Sequence, residues 1–175
     1  MDTWSYRMIG CDEGFDLLFE ITDFVVSKIS EEELESYPKY TIPDKRYKEI
    51  CASVYNDLIH LVESKKSRLA YMVLGMHLMM NDVRIDDDLK KKILEYSNWK
   101  YEKNQISDEK LRIQRKKNLA EFRAALVKYS GTGNVDVPFQ IDTITSVINR
   151  KVEECDSSPI KLKNIDYAIK GKEKD

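Results

Sequence analysis

Leu69-Ala70-Tyr71-Met72-Val73-Leu74-Gly75-Met76-His77-Leu78-Met79-Met80 is the longest apolar run in the chain, twelve residues broken by Gly75 and His77 alone. It carries no polar face at the helical period, so it predicts a helix surrounded by other helices rather than one lying on a surface. A membrane span needs about twenty such residues, which places this run in a protein core. Gly75, lacking a side chain, is the point at which a neighbour can approach closely.

The segments on either side repeat helical grammar. Downstream, Asp86-Asp87-Asp88 precedes Leu89 and the Lys90-Lys91-Lys92 triplet, with acids at the positive end of a helix and bases toward its negative end. Ser107, followed by Asp108 and Glu109, is expected to start the longest helix, with Leu111, Leu119, Phe122, Leu126 and Tyr129 on its inner face. Arg112, Arg115, Lys116 and Lys117 then fall mainly outside, and Gly131 lies beyond its end. A last helix is expected over about 139–155, with Ile144, Val147, Ile148 and Val152 facing inward.

Upstream, Asp44 is the expected cap of one helix bearing Tyr47, Ile50, Cys51, Val54, Leu58, Leu61 and Val62. The prolines of Tyr37-Pro38-Lys39-Tyr40-Thr41-Ile42-Pro43 exclude regular helix there. Asp12 is the expected cap of a first helix reaching Ile29, with Phe15, Leu18, Phe19, Thr22, Val25, Val26 and Ile29 as its apolar stripe. Before it, Trp4, Tyr6 and Met8 alternate as in a short extended segment that ends at Gly10.

Six Gly and four Pro in 175 residues are too few turn residues for a many-stranded sandwich or barrel. A hydrophobic fraction of 42% is sufficient for one core. The expected architecture is mainly α: a single-domain helical bundle or HEAT-like helical stack over residues 1–155, preceded by the short extended segment and followed by a polar, Lys-rich tail over 156–175. Three widely spaced cysteines, Cys11, Cys51 and Cys155, without a C-x-x-C pair or a secretory signal, fit a reducing cytoplasm.

Chemistry-bearing patterns are sparse. Cys51, His60 and His77 are the residues from which a nucleophile and base would have to be drawn, and no local spacing pairs them on one helix face. A Cys/His enzyme site would need the fold to assemble it. The chain lacks an H-x-x-x-H, C-x-x-C or E-x-x-H pair, a calcium loop and a phosphate-cradling glycine motif, so neither metal nor cofactor is expected. Nucleic-acid binding would rest on the basic residues between 112 and 128, which Glu121 dilutes and no aromatic residue but Phe122 interrupts.

Charge is the clearest anomaly. Residues 1–36 hold ten acidic and two basic residues, a net of −8 in a chain whose total is −2. Asp12, Asp16, Glu20 and Asp23 recur at spacings of three and four, a like-charged ridge that weakens its own helix slightly unless something offsets it. Such a surface repels nucleic acid and steers a basic protein partner toward it.

The stretch Trp4-Ser5-Tyr6-Arg7-Met8-Ile9-Gly10-Cys11-Asp12-Glu13-Gly14-Phe15-Asp16 resembles the opening of a family of small bacterial proteins. These start with Trp-Gly, a short aromatic stretch, and two Asp at the head of the first helix. Val83-Arg84-Ile85-Asp86-Asp87-Asp88-Leu89 and the segment from Arg115 to Tyr129 resemble later parts of it, and Ser5 stands where Gly is expected. The family includes immunity proteins paired with contact-delivered or polymorphic toxins. The resemblance implies a cytoplasmic, non-catalytic toxin inhibitor. Trp4, Asp12 and Asp16 match its motif and, with Glu20 and Asp23, are the expected partner-binding residues.

Overall fold

The computed structural model describes residues 11–38 and 42–131, which lie in the compact unit spanning residues 1–140. Seven α-helices are present among them: α1 (Asp12–Val26), α2 (Glu31–Ser36), α3 (Asp44–Ser53), α4 (Tyr55–Ser64), α5 (Arg68–Met80), α6 (Asp87–Tyr96) and α7 (Glu109–Lys128). A single 3-10 turn, Trp99–Tyr101, separates α6 from α7, and no strand occurs among the described residues. The protein is mainly α, as its composition predicts. The extended segment expected before Gly10, the helix expected over 139–155 and the Lys-rich tail all fall outside the described residues.

The central position of α5 follows from its composition. Every residue from Leu69 to Met79 is buried, and α1, α4 and α6 pack around it. Beyond this layer, α3 packs on α1 and α7 on α6. At the α5–α6 crossing, a Cβ added to Gly75 would sit 2.8 Å from Cδ1 and 3.2 Å from Cγ2 of Ile93, a fully buried side chain. Gly75→Ala gains about 1 kcal/mol of helix propensity but displaces Ile93, at about 1–3 kcal/mol. The expected result in urea unfolding is a net loss. Adding Ile93→Val removes the Cδ1 atom, so the double variant should lose less than the two single losses added together.

Several boundaries differ from expectation, for local reasons. The helix starting at Asp44 does not run through to Val62. It breaks at Val54, where the backbone leaves helical values at φ −102° and ψ 17°, and α4 departs as a separate helix. The apolar periodicity continues across the break because Ile50 before it, Val54 at it and Leu58 beyond it all stay buried. Asp12 and Asp44 are the first helical residues rather than caps, with Cys11 and Pro43 in the cap positions. α1 ends at Val26, three residues early, after which Ser27 and Ile29 continue as turn and bend. α2 is an addition that periodicity could not show, six residues without a buried side chain. The Ser30 hydroxyl caps it by accepting from the Glu33 amide, and Glu33 takes a bidentate bond from Arg46 on α3 (2.6 and 3.0 Å). α7 is capped by Asp108, which accepts from the Leu111 amide at 2.8 Å, rather than by Ser107.

The C-terminal end of α7 is tied to the α5–α6 connection. Tyr129 donates its hydroxyl to the Val83 carbonyl at 2.9 Å, and Lys90 of α6 donates to the Tyr129 carbonyl at 2.8 Å. Gly131 then adopts φ +88° with the Arg84 backbone 2.9 Å from where a Cβ would stand, so the close approach and the left-handed conformation both require glycine.

Candidate functional site

Which face of α1 meets the core decides what its acids can do. Gly14, Leu17, Ile21 and Val25 are buried, a stripe at three- and four-residue spacing turned against α5, α3 and α4. The expected stripe is corrected accordingly: Phe19, assigned there to the interior, is 47% exposed, whereas Leu17 and Ile21 form the seam. The outer face that results carries Asp16, Phe19 and Asp23, and Asp16 and Asp23 lie one turn to either side of the ring.

The acids of the expected ridge do not act alike. Asp16 and Asp23 are exposed and their carboxylates make no hydrogen bond or ion pair among the described residues, although the Asp23 charge is felt at the Tyr47 hydroxyl. Glu20 is turned aside to an ion pair with Lys65, which follows α4. Asp12 begins the helix, but its side chain, like Trp4, lies outside what is described. Phe19 is the surface residue that the sequence reading misses. Its signal is the register of Gly14, Leu17, Ile21 and Val25, which leaves position 19 opposite the core.

The fold does bring two of the three potential catalytic residues together. Cys51 Sγ on α3 lies 3.6 Å from His77 Nε2 on α5, and the Tyr47 hydroxyl lies 3.4 Å from the same nitrogen. Tyr47 meets the imidazole edge-on, at 5.8 Å between ring centres. His60 takes no part. It stands on the surface of α4, 3.5 Å from Glu63. Burial pushes the Cys51 thiol up to about 11 and the His77 imidazole down to about 4, and it also raises the Tyr47 hydroxyl. Both members of the pair are therefore neutral near pH 7, the opposite of the thiolate–imidazolium pair that nucleophilic chemistry uses. The cluster is a largely buried hydrogen-bonded joint between α3 and α5.

The basic face expected between 112 and 128 loses two of its members to the interior. Arg115, expected outside, is 2% exposed and makes a bidentate ion pair with the equally buried Glu102 (2.7 and 3.1 Å). Arg123 turns inward to the Leu94 carbonyl and the Ser97 hydroxyl. A polar cleft of about 560 Å³ opens beside Glu102, between the starts of α1 and α5. Of its four charged side chains, three are engaged within the chain: Glu13 accepts from Ser67, Arg68 lies over the Tyr101 ring and Glu102 pairs with Arg115, while Lys66 stands exposed at the rim. Among the described residues, no three His, Cys, Asp or Glu side chains converge on a point, and no helix is long and apolar enough to cross a membrane.

No family model matches the chain, and no curated protein or solved structure matches it.

Proposed function

We propose that this chain is a non-catalytic protein-interaction protein, an immunity-type inhibitor in the bacterial cytoplasm that occludes a basic toxin domain on the outer face of α1. The observation that carries this reading is Phe19, 47% exposed and flanked by two exposed carboxylates that make no ion pair among the described residues. An exposed aromatic residue with complementary charge around it is the usual anatomy of a binding hot spot. The net −8 of residues 1–36 and the likeness of the opening residues to toxin-immunity proteins support the same reading. The Cys51–His77 contact is the geometric feature that favours an enzyme instead, and the neutrality of both groups weighs against it.

The test begins with the neighbouring genes: a toxin-like gene beside this one supplies the partner to be tried, and the absence of one counts against the proposal. Co-expression should protect the cell, and the purified complex should form quickly at low salt. Asp16→Lys with Asp23→Lys should slow association by about 10- to 1,000-fold and flatten its salt dependence. Phe19→Ala should mainly speed dissociation, by about tenfold or more. Failure to protect, or unchanged rates in the combined triple variant, overturns the proposal.

A further inference from the structure

The helix α7 is apolar on two opposite sides. Leu119, Phe122 and Leu126 face the core, as a surface helix requires. Directly opposite, Ile113, Ala120, Ala124 and Val127 form a second stripe, whose ends are 63% and 62% exposed. That stripe takes no part in packing α7 against its own core. Lys117 and Lys128 run beside it, both exposed, and Lys117 reaches an acid only at 3.9 Å, on Glu121.

We propose that the outer face of α1 packs antiparallel on the outer face of α7 of a second copy of this chain. The two faces match in pattern and in sign. On a helical wheel of about 100° per residue, Asp16 and Asp23 lie roughly 40–60° to one side of Phe19, and Phe15 and Val26 roughly 20–40° to the other. On α7, Lys117 and Lys128 lie roughly 40–60° to the same side of Ile113, and Ala120 and Val127 roughly 20–40° to the other. Antiparallel helices bring corresponding flanks together, so acids meet lysines along one edge while apolar residues meet along the other. Parallel packing would set the acids against the apolar edge.

The register follows from the axial rise. With Phe19 seated between the small Ala120 and Ala124, Asp23 comes level with Lys117, and Asp16 lies within about one turn of Lys128. The half-buried Phe15 and Val26 then border the contact, facing Val127 and Ile113. Alanines at the centre let the Phe19 ring reach the α7 backbone, a contact that a larger side chain there would block. The contact closes a two-fold dimer where one pair of copies makes it twice, and otherwise propagates head to tail, each copy using α1 on one neighbour and α7 on the other. The contact area is that of one helix pair, at the small end for specific interfaces, so assembly depends on concentration and salt. Assembly and a toxin would compete for the same face of α1, but the inference does not depend on the toxin.

Sedimentation equilibrium of the full-length protein alone tests it. The average mass should rise above that of the monomer through the micromolar range at low salt and return to monomer at high salt. Asp16→Lys/Asp23→Lys and Lys117→Glu/Lys128→Glu should each be monomeric while keeping wild-type helicity by circular dichroism. An equimolar mixture of the two variants restores opposite charges at every contact and should recover the wild-type mass distribution. A monomeric wild type at every concentration in low salt overturns the inference. So does a mixture that stays monomeric, or a dimer insensitive to the α1 substitutions, which would place a symmetric contact elsewhere.

Discussion

Replacing Glu102 by Ala should remove about 3–5 kcal/mol of stability, enough to unfold much of a marginally stable domain. The Glu102 carboxylate and the Arg115 guanidinium are 6% and 3% exposed, and their two hydrogen bonds of 2.7 and 3.1 Å fix both planes. Truncating the acid removes the carboxylate that balances a guanidinium held in the interior. That penalty exceeds the net worth of the pair, because transferring both charges from water already consumed most of their mutual attraction. The double replacement Glu102→Leu/Arg115→Met should therefore recover most of the loss, and urea unfolding of the three proteins checks both expectations. A single-variant loss below about 1 kcal/mol would show that water reaches the pair. The Arg46–Glu33 pair, with side chains 40% and 28% exposed, should have a much smaller effect when broken.

Stability should also fall as the pH drops from about 6.5 to about 4, by about 3 kcal/mol attributable to His77. The sign follows from burial. Inside the core the imidazole stays neutral down to about pH 4, whereas in the unfolded chain it takes up a proton near its ordinary value of 6.5. Between those values the unfolded state binds the extra proton, so acid favours unfolding, and at neutral pH the contribution is fully present. The neighbouring Tyr47 and Cys51 hold their protons throughout this window and add no titration of their own. His77→Gln should be less stable than the wild type at pH 7, because its contacts with Cys51 and Tyr47 are disturbed, yet nearly flat in stability from pH 6.5 to 4.5. Persistence of the wild-type slope in that variant would assign the acid sensitivity to another group.

Both predictions concern residues whose roles the linear pattern disguises. Arg115 sits among Arg112, Lys116 and Lys117 and reads as one more solvated base. Its inward position became visible only when the turn before α7 placed Glu102 against it. His77 lies in an apolar run and reads as a satisfied core residue, which it is. Its partners, 26 and 30 positions earlier in the chain, come from a helix that periodicity alone could not orient. Phe19 is the reverse case. Its apolar character suggested burial, and a shift of the α1 seam by one to two residues turned it to the surface.

By itself, the sequence determined the helical class, the central place of Leu69 to Met80 and the approximate span of most helices between Asp12 and Lys128. These follow from short-range causes: side-chain periodicity, capping acids, and the scarcity of glycine and proline. Tertiary packing alone decided the break at Val54, the seam of α1, and the internal pairings of Cys51 with His77 and Arg115 with Glu102. Each of these is a competition among residues distant in the chain for the same buried volume. A 3.6-residue period can set such a helix face only to within the angle between neighbouring side chains.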